Sequence, residues 1–152
     1  GKKTFFLPFN KGNNQGKGNP VNPDGHKTAY LWEEIFTKKS LVGLIQHFVR
    51  LDGKDGDTLS KRTLYFPRYH QLDVVRKIID DARCKGVGQT YLIQHSAGSG
   101  KSNSLTWAAY GLIETYPKSL KAKGNRGLDN PLFDSVIVVT DRRLLDKQLR
   151  DN

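Results

Sequence analysis

The residues best equipped for chemistry lie in one stretch, Tyr91-Leu-Ile-Gln-His-Ser-Ala-Gly-Ser-Gly-Lys-Ser102. An apolar run leads into a turn of small residues and then into Gly100-Lys101-Ser102. Gly98 and Gly100 have no Cβ, so the backbone there can take positive φ and bring its N–H groups close to phosphate oxygens. A helix starting at Lys101 directs its positive end at the same anion. Lys101 has the reach for β- and γ-phosphates, and the Ser102 hydroxyl suits a Mg²⁺ ion. The candidate nucleotide-binding residues are Ala97, Gly98, Ser99, Gly100, Lys101, Ser102 and Asn103, with Lys101 and Ser102 as the catalytic candidates and Ser102 as the metal ligand. The pattern G-x-x-x-x-G-K-[ST] is met except at its first glycine, where His95 stands.

Two further constellations narrow the chemistry. Gln71 ends the run Phe66-Pro-Arg-Tyr-His-Gln71, upstream of the loop. A glutamine amide can pair with the N6 and N7 edge of adenine, which a phosphate loop alone cannot read. Downstream, Val138-Val-Thr-Asp-Arg-Arg-Leu-Leu-Asp-Lys-Gln148 brings hydroxyl and guanidinium groups to a strand exit. Thr140, Arg142 and Arg143 there are candidate contacts to a nucleic-acid backbone.

These residues need elements to hold them. Thr90–Gln94 and Ser135–Thr140 read as strands, the second a run of β-branched residues of the kind buried on both faces of a parallel sheet. Lys101 to Tyr116 reads as a helix with Leu105, Ala108, Ala109, Leu112 and Ile113 on its packing side, ended by Pro117, and a helix is expected over 142–151. Strand, loop, helix, strand and helix make a βαβα unit, which crosses over into a parallel sheet. Two strands do not complete such a sheet, so an incomplete one is expected. Upstream, Leu72, Val75, Ile79 and Ala82 recur at helical spacing from Pro67 to Lys85, with Gly86 as the stop. A short helix is expected over Thr28–Phe36, and another from Lys38 with Leu41, Leu44, Ile45 and Phe48 on one face. Leu64-Tyr-Phe66 reads as a short extended segment.

Other glycine and acidic clusters carry no chemistry. Gly12, Gly16 and Gly18 lack a strand-to-helix setting and read as turns. Asp52-Gly-Lys-Asp-Gly-Asp57 starts like a calcium loop, but Gly53 and the lack of a late glutamate make it a solvated turn.

The 152 residues can enclose one core, and 15 Gly with 6 Pro imply long irregular stretches. No apolar run approaches a membrane span, and the basic-then-apolar start is too short for a signal peptide. The chain contains no Met and begins on Gly1, which points to a piece of a longer polypeptide. Its single cysteine, Cys84, excludes an internal disulfide and is expected to be a buried or half-buried thiol in a cytoplasmic protein. A net charge of +10, from 25 Lys and Arg against 15 Asp and Glu, favours a polyanionic partner, DNA or RNA first. Lys118, Lys121, Lys123 and Arg126 have no acid near them in sequence and could meet a phosphate backbone.

Phe66–Gln71, Gln94–Ser102 and Val139–Gln148 resemble the Q-tip, motif I and motif Ia of superfamily 2 helicases. More narrowly they resemble the motor (restriction, R) subunit of type I restriction-modification enzymes, in which a histidine at the position of His95 is usual. Phe5-Phe-Leu-Pro-Phe-Asn-Lys-Gly12, Gly18-Asn-Pro and Tyr30-Leu-Trp are similar to the segment that joins nuclease and motor domains there. The resemblance implies an α/β fold, a partial RecA-like P-loop domain over 61–152 preceded by a loop-rich helical connector over 1–60. It implies ATP and Mg²⁺ as cofactors, double-stranded DNA as substrate, and methylation and specificity subunits as partners. Gln71 would read adenine, Gly98–Gly100 cradle phosphates, Lys101 stabilise the β,γ-bridge, Ser102 hold Mg²⁺, and Thr140 and Arg142 touch DNA. Carboxylates for water activation, an arginine finger and the nuclease residues are expected outside these residues, so the piece alone is expected neither to hydrolyse ATP nor to cut DNA. A P-loop kinase and a basic nucleic-acid-binding module are the competing readings.

Overall fold

The computed structural model describes residues 8–14, 16–118 and 127–139. Thr140, Arg142, Arg143, Lys121, Lys123, Arg126 and the helix expected over 142–151 lie outside them. The chain forms two compact units, Gly1–His70 and Gln71–Asn152.

In the first unit the glycine-rich stretch closes on itself. Gly12 N–H donates to Gly18 O at 2.9 Å, and Asn13 and Gly16 exchange backbone bonds at 3.1 and 2.7 Å. The N–H groups of Gly12, Asn13 and Gly16 are thus spent on carbonyls of the same turn, which fits a turn rather than an anion cradle. Tyr30 is buried, and its hydroxyl donates to Phe9 O. Tyr30 and Phe9 both meet Tyr69 edge-on, at 5.4 and 5.6 Å between centroids, an arrangement aromatic quadrupoles favour. Lys11 Nζ sits 4.8 Å from the Tyr30 centroid and bonds Glu34 at 2.8 Å.

The expected short helix is a π-helical segment, Leu31–Ile35, and helix α1 is Lys38–His47. Thr37 caps α1, its Oγ1 accepting from Ser40 N–H at 3.4 Å. Of the apolar face read from the sequence, Leu44 and Phe48 are buried while Leu41 and Ile45 are exposed. Strands β1 (Arg50–Asp52) and β2 (Thr63–Tyr65) pair antiparallel with Leu51 opposite Leu64. The Asp52–Asp57 turn lies between them, with Asp57 accepting from Lys54 N–H at 2.9 Å.

Helix α2, Tyr69–Lys85, belongs to the second unit from Gln71 on and buries Leu72, Val75, Ile78 and Ala82 there. Gly86 stops it with φ +83° and an N–H bond to Ala82 O at 2.8 Å. Cys84, expected buried or half-buried, is exposed. Two residues past Ala82 is about 200° around the helix, which turns the thiol off the buried stripe. Helix α3, Lys101–Ile113, ends earlier than expected. Pro117 disfavours helical backbone just before it, and Thr115 Oγ1 returns to Gly111 O at 2.6 Å.

The expected parallel sheet is the main correction. Among the described residues the only sheet is the antiparallel pair β1–β2, and neither 90–94 nor 135–139 is a strand. The protein is a small mixed α/β protein. A parallel strand requires hydrogen-bonded neighbours and cover on both faces. Here Leu92 is 93 % exposed and Ile137 and Val139 are 85 and 87 % exposed, so no such cover is in place. The β-branched composition signals fitness for a buried sheet; it does not supply one.

Candidate functional site

The glycine loop is strung between two anchors on α2. At its approach, Tyr91 OH donates to Asp81 Oδ2 at 2.9 Å, and Lys85 Nζ holds the other carboxylate oxygen at 2.7 Å. The Lys85 bond first, and the Tyr91 bond second, hold the Asp81 carboxyl below its usual 3.8. Burial first, and the Asp81 carboxylate second, push the Tyr91 hydroxyl above 10.0. At the far end Gln71, 4 % exposed, donates from Nε2 to Ser99 O at 3.2 Å and Gly100 O at 2.9 Å. Along α2 these anchors are ten residues apart, about 15 Å of helix rise.

Between the anchors the loop takes the conformation its glycines permit. Gly98 has φ +71° and Gly100 φ +78°, both left-handed. Ala97 and Gly98 are exposed, Ser99 is buried, and Ser102 and Asn103 are half-buried. Lys101 folds back over the turn, its Nζ donating to His95 O at 3.1 Å and Ser96 O at 3.0 Å. His95 takes part in this turn through its backbone oxygen. Thr106 Oγ1 donates to Ser102 O at 3.1 Å within the helix, leaving the first turn of α3 regular.

The structure thus brings Gln71, Ala97–Asn103 and α3's first turn together, while Thr140, Arg142 and Arg143 lie outside the described residues. Chemically, the arrangement offers main-chain donors, a cation and a hydroxyl around one turn, which is a fit for a phosphate–metal complex. Lys118, read from sequence as lacking a nearby acid, bonds Asp80 at 2.6 Å, and its N–H donates to Arg83 O at 2.8 Å. It closes the chain after α3 onto α2. That pairing spans 38 residues and has no local sequence signal. A groove of about 830 Å³ between α2 and residues 89–93 is lined by Asp73, Lys77, Asp80, Asp81 and Lys85 among others. Each of those acids is paired with a lysine, so the groove holds no concentrated charge. Among the described residues no group of three or more His, Cys, Asp or Glu could hold a metal, and no helix is long and apolar enough to cross a membrane.

Neither a family model, nor a curated protein, nor a solved structure matches this chain.

Proposed function

We propose that the chain binds Mg²⁺-ATP at Ala97–Asn103 and is the nucleotide-binding portion of the motor and endonuclease subunit of a type I restriction enzyme. The observation that carries this reading is the closure of Gln71 onto Ser99 and Gly100, which sets the adenine-reading candidate directly against the phosphate loop. In this reading Lys101 leaves the His95 and Ser96 carbonyls for the β- and γ-phosphates. Ser102 holds Mg²⁺, which when bound neutralises phosphate charge. Gly98–Gly100 supply main-chain donors, and Gln71 pairs with the base.

Segments 90–94 and 135–140 become parallel strands of a RecA-like sheet once neighbouring strands cover them. Thr140, Arg142 and Arg143 then touch the backbone of double-stranded DNA, consistent with the +10 charge. Methylation and specificity subunits complete a cytoplasmic complex, and binding without turnover is the activity expected of these 152 residues.

Calorimetric titration with Mg²⁺-ATP tests the reading. Wild type should bind, and Lys101→Ala should weaken binding by about tenfold or more, the scale of one charge-assisted bond. Unchanged affinity in Lys101→Ala, or no Mg²⁺-dependent binding by wild type, overturns it. DNA binding indifferent to Lys101 would favour a basic binding module. Phosphate transfer to a small acceptor without DNA would favour a kinase.

A further inference from the structure

We infer that Gln71 is a positioning residue for the phosphate loop, fixing the direction of the two main-chain donors that follow Ser99 and Gly100. The inference rests on the nucleotide reading for the identity of the anion, and on loop geometry for everything else.

Gln71 is nearly fully buried, and its one amide nitrogen serves two consecutive carbonyls, Ser99 O and Gly100 O. In a trans peptide the C=O and the following N–H point in opposite directions. Drawing the Ser99 carbonyl toward Gln71 therefore turns the Gly100 N–H away from it, and the Gly100 carbonyl does the same for Lys101 N–H. No hydrogen bond to another described residue uses either N–H. The Gly100 carbonyl also accepts from Ser104 N–H at 3.3 Å, so the same oxygen joins Gln71 to the first turn of α3.

A primary amide has two hydrogens, and both are given to the loop. A contact from the same nitrogen to a nucleobase must be made at the expense of one of those bonds. Base recognition and phosphate-loop geometry are thereby joined in one side chain, and the residue's contribution does not depend on a base being present.

The test separates the two roles. Hydrogen exchange at the Ser104 amide is measured in the nucleotide-free chain for wild type, Gln71→Glu, which keeps the size and loses the N–H groups, and Gln71→Leu. Mg²⁺-tripolyphosphate, which has no base, and Mg²⁺-ATP are then titrated into each. In both variants Ser104 should exchange about tenfold faster while Ala108 is unchanged, and both ligands should weaken by a similar factor of about ten. Unchanged exchange at Ser104 overturns the inference. So does a loss confined to ATP with tripolyphosphate unaffected, which would make Gln71 a base reader only. If wild type binds neither ligand, the nucleotide reading fails, and the exchange result still decides whether Gln71 orders the loop.

Discussion

The side-chain nitrogen of Gln71 lies 2.5 Å from the position a Cβ on Gly100 would occupy. Residue 100 is thus closed to a side chain twice over, by its left-handed φ of +78° and by the amide beside it. Gly98 shares the positive φ, but a Cβ there meets nothing within 4 Å. Gly98→Ala should therefore lose only the left-handed penalty, about 1–2 kcal/mol. Gly100→Ala should lose that and the Gln71 bonds as well, about 3 kcal/mol in all. Urea unfolding of both, and of Gly100→Ala combined with Gln71→Ala, checks the difference. If the idea holds, the increment from Gly100→Ala on the Gln71→Ala background falls to the level seen at Gly98.

Gly111 offers a second steric test. It lies within α3, where alanine is intrinsically better by about 1 kcal/mol. A Cβ there would come within 2.4 Å of Ile79 Cδ1 and 3.3 Å of Ile79 Cγ1. Crowding of that kind typically costs about 1–3 kcal/mol, so Gly111→Ala alone should be neutral to destabilising. Ile79→Val removes the nearest atom. On that background Gly111→Ala should become stabilising, and a double-mutant cycle showing simple additivity would count against close packing of α2 on α3.

Acid stability should report on the Asp81 anchor. Its folded-state pKa is lowered by Lys85 and Tyr91, so its contribution is present above the unfolded value and fades as pH falls through the folded one. Stability of the wild type should therefore decline as pH drops below about 4. Asp81→Asn should flatten that part of the curve and leave neutral-pH unfolding cooperative. Tyr91 runs the other way. Its pKa is raised, so its contribution is complete below 10.0 and weakens as pH climbs through the folded value, and Tyr91→Phe should remove that alkaline decline. Denaturant midpoints across pH 2–5 and 9–11 would expose either error.

Surface charge and core should behave very differently in α2. Asp80 and Lys118 are bonded at 2.6 Å, yet both side chains are about half exposed. Such pairs contribute roughly 0–1 kcal/mol, so Asp80→Ala should shift stability within that range, and less in high salt. Leu72, on the same helix, is almost wholly buried, and Leu72→Ala should cost about 2–5 kcal/mol. Thermal melts in low and high salt distinguish the two.

Much of α2 was legible because helical spacing marks a buried stripe without reference to any partner. Leu72, Val75 and Ala82 are buried as read, and Gly86 ends the helix by the left-handed conformation only glycine takes easily. Two positions of the helix depart from the reading, Cys84, which is exposed, and Ile79. Ile78 is buried and Ile79 half-buried, a shift of about 100° at most, within what two adjacent isoleucines leave open. The left-handed backbone at Gly98 and Gly100 was readable because a residue without a Cβ takes positive φ at little cost. The link from Gln71 to Ser99 and Gly100 was not. A glutamine amide can serve a base or a carbonyl equally well, and only tertiary placement decides. The strand at 90–94 failed for the opposite reason: its sequence describes an environment, and environment comes from other chain segments.

The exposure of Ile137, Val138 and Val139 has a bearing on how the protein behaves in a tube. A β-branched, uncharged run open to solvent is a template for edge-to-edge association. The +10 charge opposes it by mutual repulsion, which salt screens. Self-association should therefore rise with ionic strength, the reverse of what charge-driven clustering would give. Light scattering across a salt series reads it directly, and Val138→Lys should raise the concentration at which particles form. Purification in high salt, a routine step for a basic protein, is the condition in which this one is least able to stay dispersed.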